Sequence, residues 1–413
     1  MAAPPPTLLD LLSNSLVLGQ VSPLLPVSAL LSLSRTSKSI RQLIYSSREA
    51  WRYLDLSPLK SAQLDASPID VGGVSWRAER MDEALTEDDF YAGPLRGIFS
   101  QLHSWRVLKW VQVLVLDGLS VPADLVREIV MEERFGVRIL SVRGATHLNL
   151  SKLQQVLMYA VRPSRPETVL RFKALYVFGS KDDPKQLPPS INLLNGGGVT
   201  ASQGAQIGAH WNSRSAEALQ VTKSGNVLSQ WYGSNGRVLK SQKPQWAGTL
   251  QACEGLIAFD AALCRGPRHD ISQVNAVDYL SLAVATVALG PVGCETCNTS
   301  PEGPAVFGHN DMCELPLLTP PPTHATSVRA AQRPDIGDSA FLRLILRCED
   351  CLRGRWCERC NRWWCEACYP MPMSREASQP DTTHPNMQVR IHAGLCVEHC
   401  LVGEMMMSSD GYW

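Results

Sequence analysis

Residues 347–369, which read RCEDCLRGRWCERCNRWWCEACY, carry six cysteines in three CxxC pairs. The pairs are Cys348/Cys351, Cys357/Cys360 and Cys365/Cys368. Because a CxxC turn directs two thiolates toward one point, two such pairs form one tetrahedral zinc site. Three pairs need a fourth partner, and the segment GLCVEHC near the C-terminus supplies Cys396, His399 and Cys400. We therefore predict that residues 341–413 form a small zinc-stabilised module.

Two ways of pairing these ligands are open. In a cross-brace, the first and third pairs share one zinc, and the second pair shares the other with Cys396 and either His399 or Cys400. In a sequential arrangement, neighbouring pairs share each metal. Soft thiolate ligands favour zinc in both cases. The four pairs, with the aromatic WWC run before the third, resemble a RING-like or ZZ-like module.

A further CxxC pair, Cys294/Cys297, adds metal-binding capacity upstream. It can form a third site with His309 and Cys313, or it can join Cys348 and Cys351. The prediction is thus two zinc ions, or three if Cys294/Cys297 form their own site. Three other candidates are given structural roles: Cys253 and Cys264 have no CxxC partner and are predicted to be buried core thiols, and His269 is predicted to be a surface histidine.

Paired CxxC motifs indicate metal rather than disulfides where thiols stay reduced. The start of the chain, MAAPPPTLLD, lacks the basic segment of a signal peptide. The longest later apolar run, residues 279–289, is too short to span a bilayer. We expect a soluble intracellular protein, cytoplasmic or nuclear, without a membrane partner. The 39 basic and 39 acidic residues balance, which predicts no nucleic-acid partner.

The N-terminal segment, residues 5–56, is rich in leucine at helical spacing. It has an opening Leu patch, Leu25-Pro26 before a central helix, the run Ile40-Arg41-Gln42-Leu43, and Trp51 before a leucine-rich stretch. In this order it resembles an F-box, although Leu8-Leu9-Asp10-Leu11 replace the usual Leu-Pro-x-Glu. The resemblance implies a three-helix bundle that docks on a Skp-type adaptor and its cullin scaffold. The docking residues it implies are Leu8, Leu9, Leu12, Leu30, Leu33, Ile40 and Leu43.

Strand-like and helix-like patterns alternate over residues 105–180. Strands are predicted at 111–118, 137–144 and 172–179, with helices at 123–133 and 150–161. Leu114 and Leu116 match Leu140 and Val142 at a spacing of 26 residues. This pattern resembles leucine-rich repeats, which stack short parallel strands. A single small α/β domain with right-handed crossovers explains it almost as well.

The rest of the chain divides by composition. Residues 181–245 are polar and predicted to be a loop or disordered insert, and residues 246–315 to continue the repeat domain. Residues 316–340 are Pro-rich and read as a linker. The predicted fold class is therefore α+β and multi-domain: an F-box-like bundle, a short repeat-like α/β segment and a zinc module.

No phosphate-binding loop, HExxH or GxSxG motif is present, and thiolates committed to metal are poor nucleophiles. The chain is thus expected not to be an enzyme. The F-box resemblance implies the substrate-recognition subunit of an SCF-type cullin ubiquitin ligase, which binds a protein target through the repeat and zinc regions. Two alternatives stay open: a RING-like ubiquitin ligase acting through the zinc module, and a zinc-dependent nucleic-acid-binding regulator.

Overall fold

A computed structural model describes residues 7–63, 87–164, 170–179, 238–239, 244–272, 274, 278–289, 293–299, 305–306, 315–333, 343–369 and 389–401. The chain divides into two compact units. Unit 1 comprises Met1–Lys181, Lys243–Ala262 and Asp311–Arg333, and unit 2 comprises Asp182–Gln242, Leu263–Asn310 and Pro334–Trp413. The predicted insert at 181–245 and the positions of His309 and Cys313 lie almost wholly outside the described residues.

Unit 1 begins with four short helices, α1 (Leu8–Ser13), α2 (Ser15–Val21), α3 (Val27–Thr36) and α4 (Lys38–Ser46). Polar side chains set their starts: Thr7 and Asp10 form a capping box at α1, Asn14 caps α2 and Ser37 caps α4. Trp51 is fully buried and donates its indole N–H to the carbonyl of Ile44 at 3.0 Å. This bond fixes the chain where it leaves the helices for the sheet.

A parallel sheet of five strands follows in chain order: β1 (Tyr53–Asp55), β2 (Val113–Val115), β3 (Ile139–Ser141), β4 (Ala174–Tyr176) and β5 (Ala258–Phe259). The helices between the strands are α5 (Glu87–Ser104), α6 (Ala123–Met131), α7 (Leu150–Ala160) and α8 (Ala247–Cys253). The mixed helix and sheet content agrees with the α+β part of the predicted class. The predicted strands and helices of residues 111–179 are present, with shorter bounds.

Each strand pairs with its neighbour in the same register, so equivalent residues form columns across the sheet. Leu54, Leu114, Leu140 and Leu175 pair in sequence and end at Phe259, and all are buried. The repeat spacing seen in the sequence thus has a direct structural cause: Leu114 and Leu140 are partners on adjacent strands. The sheet therefore consists of successive strand–helix units, and each strand pairs with the one before it in the chain.

The opposite face of the sheet is covered by the Pro-rich segment that was predicted to be a linker. Leu317 and Ala331 pack in one buried cluster with Val113, Ile139 and Ala174. The Leu317 amide donates to the Phe259 carbonyl at 2.7 Å, and helix α9 (Val328–Ala331) ends the segment. Residues 315–333 are therefore a packed part of unit 1, and they cover part of this face of the sheet.

Buried polar groups stabilise the edge of the sheet where the strands end. The Asp117 carboxylate accepts the Ser141 hydroxyl at 2.6 Å and the Arg143 guanidinium at 2.7 Å. Asp260 accepts the backbone amides of residues 177–179 at 2.7–3.1 Å. Burial raises the pKa of Asp260, while these amides and Arg143 oppose the shift. The two carboxylates accept hydrogen bonds from the loops after the strands, whose backbone amides would otherwise be buried without partners.

Unit 2 is built on a small antiparallel sheet, in which β8 (Arg343–Arg347) lies between β6 (Val287–Leu289) and β7 (Ala305–Val306). Strand β8 runs directly into Cys348 and the short helix α10 (Glu349–Leu352). A hairpin of β9 (Ile391–His392) and β10 (Leu395–Cys396) follows, and a helical turn at Val397–Leu401 ends the described part of the unit. The predicted boundary at 246–315 therefore does not match the units: residues up to 262 belong to unit 1, and 263–310 belong to unit 2.

Candidate metal centres

Among the described residues of unit 2, three groups of four side chains could each hold a metal ion, and the ligand atoms within each group lie within 4.8 Å of one another. Site 1 consists of Cys264, His269, Cys348 and Cys351. Site 2 consists of Cys294, Cys297, Cys365 and Cys368. Site 3 consists of Cys357, Cys360, Cys396 and Cys400.

The distances within the groups fit four-coordinate zinc. With Zn–S bonds of about 2.3 Å, tetrahedral geometry places neighbouring sulfurs about 3.8 Å apart. The Sγ atoms of Cys264 and Cys351 are 3.7 Å apart in site 1, and those of Cys297 and Cys365 are 3.9 Å apart in site 2. In site 3 the Cys357–Cys400 and Cys360–Cys396 distances are both 3.7 Å. These separations are too long for disulfides, whose sulfurs are about 2 Å apart.

Site 1 combines a histidine with three cysteines. The His269 Nδ1 lies 3.0 Å from the Leu280 carbonyl, and its Nε2 lies 3.3 Å from the Cys348 Sγ. A proton on Nδ1, donated to that carbonyl, leaves the Nε2 lone pair for a metal. Burial raises the pKa of Cys264, but hydrogen bonds with Cys348 and Cys351 and the charge of Arg347 outweigh burial and place the pKa well below its usual value.

Gly266 gives site 1 the space it needs. A Cβ atom at this position would lie 2.8 Å from the Cys351 Sγ and 3.2 Å from the Arg347 Cδ. Only a residue without a side chain allows the loop after Cys264 to approach Cys351 so closely.

We expect Gly266→Ala to lower the zinc content of the full chain from three ions to two in zinc excess, because the added methyl group displaces a ligand of site 1. Native mass spectrometry measures this directly. Gly97→Ala is the matched control, since no atom lies within 4 Å of a Cβ there. Three ions in Gly266→Ala would contradict the assignment.

Site 2 joins an upstream loop to the third CxxC pair. The Cys365 amide lies 3.3 Å from the Cys294 Sγ, and Arg362 forms an ion pair with Glu295 at 2.8 Å. The Thr299 hydroxyl, 3.0 Å from the Cys297 Sγ, lowers the pKa of this thiol to about 6. A thiolate stabilised in this way is ready to bind metal near neutral pH.

Site 3 is formed by the second CxxC pair and the β9–β10 hairpin. The Cys396 amide donates to the Cys357 Sγ at 3.3 Å. Burial raises the pKa of Cys357, but the amides of Cys360, Cys396 and Arg359 outweigh it and lower the pKa to about 7. Gly394, at φ +81°, forms the turn, and its carbonyl accepts the Glu358 amide at 3.0 Å.

Comparison with protein-family models, curated proteins and solved structures finds no match for this chain. None of the described helices combines the length and the hydropathy that crossing a membrane requires.

The observed grouping differs from the predicted pairings. Cys294 and Cys297, predicted to join either His309 and Cys313 or Cys348 and Cys351, are grouped with Cys365 and Cys368. Cys348 and Cys351 do not share a site with Cys365 and Cys368; their partners are Cys264 and His269. A cross-brace does exist, but its first pair is Cys294/Cys297, so sites 2 and 3 interleave along the chain. In site 3 the fourth ligand is Cys400 and not His399.

Cys264 and His269 are the site residues that the sequence analysis missed. Their spacing, Cys-x4-His in CRGPRH, was a signal, but a lone cysteine and a lone histidine on a loop are common without metal. Cys253, by contrast, is a buried thiol as predicted, and burial raises its pKa to about 12. It lies outside all three groups.

Each group offers four side-chain ligands and thus fills a tetrahedral coordination shell. A catalytic zinc keeps one position open for water or substrate, whereas a structural zinc does not. The centres are therefore suited to hold the chain in shape, and zinc bound there would supply folding free energy rather than an activated water.

Proposed function

We propose that this protein is the substrate-recognition subunit of an SCF-type cullin ubiquitin ligase, acting in the cytoplasm or nucleus. Its N-terminal helices would bind a Skp-type adaptor, and other surfaces would bind a protein target. The subunit does no chemistry itself; it raises the effective concentration of the target near the loaded ubiquitin carrier. Two features support this proposal: the F-box-like order of the N-terminal sequence, and the sheet whose first strand comes immediately after it.

One observation carries the proposal: apolar side chains remain uncovered on the N-terminal helices. Leu16 is 78 % exposed and Leu24 is 70 % exposed, and Leu8 and Leu11 are about half exposed. A surface that docks on another protein requires exposed apolar side chains, and these four leucines supply them. A Skp-type adaptor is the partner that the F-box resemblance implies.

The surface that could dock differs from the set of residues first implied. Leu12, Leu30 and Ile40 are buried inside unit 1, so they stabilise the helices and do not reach a partner. Leu9, Leu33 and Leu43 are partly buried, and Leu8 alone of the set is exposed. The docking surface is therefore redefined as Leu8, Leu11, Leu16 and Leu24.

We expect Leu16→Asp combined with Leu24→Asp to reduce adaptor binding at least tenfold, because charge replaces apolar contact area in the interface. Pull-down of the full chain with a purified Skp-type adaptor measures the effect. Ile271→Asp is the matched control, since Ile271 is 73 % exposed but lies in unit 2. Equal adaptor recovery with the double variant, the Ile271→Asp control and the unchanged protein would show that these leucines do not form the docking surface.

The covered face of the sheet limits where a target binds. Leu317 and Ala331 pack with Val113, Ile139 and Ala174, so the chain itself occupies this part of the face. Target recognition is therefore assigned to other surfaces of unit 1 or to the zinc module.

A second candidate is a RING-like ubiquitin ligase, favoured by the cross-brace of sites 2 and 3. With Cys294/Cys297 as the first pair, the loop to Cys357 is long, as the RING resemblance requires. Ubiquitin-chain formation by the full protein with a ubiquitin carrier, but without adaptor and cullin, would favour this candidate. Activity that appears only with adaptor and cullin would favour the receptor.

A further inference from the structure

The three metal centres share one continuous stretch of chain. From residue 348 to residue 368 the chain supplies two ligands to site 1, then two to site 3, then two to site 2. Ligands of sites 2 and 3 also belong to one buried cluster, which includes Leu352, Trp356 and Trp363. A shift at one centre therefore moves ligands of the next.

Arg355 connects site 1 to site 2. Its side chain is completely buried and donates to the carbonyl of Cys351, a site 1 ligand, at 2.7 Å. It also donates to the carbonyl of Trp364 at 2.9 Å, one residue before the site 2 ligand Cys365. Glu366, inside the site 2 CxxC turn, lies 3.3 Å from the same guanidinium. Arg355 thus holds both ligand loops in place.

Site 3 is linked to site 2 through a short hairpin. Trp356 and Trp363 face each other in an antiparallel bridge, and the Cys357 amide donates to the Arg362 carbonyl at 2.9 Å. The Trp364 amide donates to the Arg355 carbonyl at 2.9 Å. The site 3 pair occupies the turn of this hairpin, and Cys365 follows its second arm.

The buried Arg355 guanidinium provides an energetic reason for coupling between the metal centres. Burying a guanidinium is costly unless negative charge lies close to it. Thiolate-rich zinc sites carry net negative charge, and Arg355 and Arg347 are buried beside them. Glu366, which lies within the site 2 CxxC turn, is 3.3 Å from the Arg355 guanidinium, so a displacement of that turn when metal leaves would separate this negative charge from Arg355.

We propose that the three centres of unit 2 bind and release metal as one cooperative unit, with Arg355 as the positioning residue that couples site 1 to site 2. Loss of metal from one centre lowers the affinity of the others roughly 5- to 150-fold, the usual range for coupled sites. The proposal does not depend on the ligase function.

The test is native mass spectrometry of the zinc-loaded full chain at increasing chelator concentration. The wild-type protein should show mainly the three-metal and zero-metal species, with few molecules carrying one or two ions. Stepwise release through abundant one-metal and two-metal species would overturn cooperativity. This measurement needs no variant and is unaffected by any folding defect.

Two variants then locate the coupling. Arg355→Met should populate the one-metal and two-metal species, whereas Arg353→Met, which alters an exposed arginine paired with Asp350, should behave as wild type. If Arg355→Met still released all its metal ions together, Arg355 would not be the residue that couples the sites. If Arg355→Met binds fewer than three ions in zinc excess, thiol alkylation identifies the emptied sites: loss of metal at site 1 or site 2, whose loops Arg355 contacts, supports its positioning role, and a loss confined to site 3 contradicts it.

Gly266→Ala provides an independent test of the coupling, because it disturbs site 1 and leaves Arg355 unchanged. Its two remaining ions should be removed at a chelator concentration roughly 5- to 150-fold lower than the wild type needs. Release of those ions at the wild-type concentration would show that the sites are independent.

Discussion

Removing zinc is expected to unfold unit 2 and leave unit 1 folded. All three centres lie in unit 2, and most of their cysteines are buried, several of them in its largest described apolar cluster. A structural zinc site contributes about 10–16 kcal/mol of apparent binding free energy at neutral pH, comparable to the whole stability of a typical domain, about 5–15 kcal/mol. The sheet of unit 1 contains no ligand and should keep its structure.

Hydrogen exchange read by mass spectrometry distinguishes the two units. After treatment with a strong zinc chelator, peptides covering residues 343–369 should lose protection, whereas peptides covering β2, β3 and β4 should keep it. Adding zinc back should restore protection, and elemental analysis of the untreated chain should give three zinc ions. Unchanged protection of residues 343–369 after complete metal removal would show that the fold does not depend on the centres.

Asp117→Ala is expected to destabilise unit 1 by about 3–5 kcal/mol, the cost of leaving a buried charge without its partner. The Asp117 and Arg143 side chains are 3 % and 7 % exposed and 2.7 Å apart. The substitution also removes the acceptor of the Ser141 hydroxyl and of the Arg143 amide. Asp260 also interacts electrostatically with Arg143, but its carboxylate already accepts three backbone amides.

Urea unfolding of unit 1, followed by exchange of the β2–β4 peptides, measures this loss. The control is Asp124→Ala, which breaks a pair with Arg127 that is 3.9 Å apart with both side chains about half exposed or more. Exposed pairs contribute below about 1 kcal/mol, so the control should be nearly neutral. If the two variants were destabilised equally, the Asp117–Arg143 pair would not be a main support of the sheet edge.

Local patterns predicted much of the fold because they act over few residues. The strands near residues 113–115, 139–141 and 174–176 and the helices between them follow from alternating apolar residues and turn signals. The leucine column followed from the repeat spacing, since equal steps along the chain place Leu114 beside Leu140. These features need no information about distant segments.

The docking surface shows where helical pattern alone is insufficient. Leu30 and Leu24 both belong to apolar helical segments, yet Leu30 is 2 % exposed and Leu24 is 70 % exposed. Which leucine faces solvent depends on how neighbouring helices pack, for example on Trp51 bonded to Ile44. A hydrophobic pattern predicts a buried face but not which partner buries it.

By itself the sequence determined that the C-terminal part carries cysteine pairs suited to metal binding, because two thiols three residues apart meet at one point whatever surrounds them. Tertiary structure alone decided which pairs meet. Strand β8 brings Cys348 and Cys351 to the loop of Cys264 and His269, and β6 carries the chain toward Cys294, which reaches Cys365. Similarly, composition marked residues 315–333 as Pro-rich, but their packing against the sheet depends on contacts with residues far away in sequence. The physical reason is the same in both cases. Which distant segments pack together depends on burying side chains that lie far apart in the sequence, and a short stretch of sequence does not contain both partners.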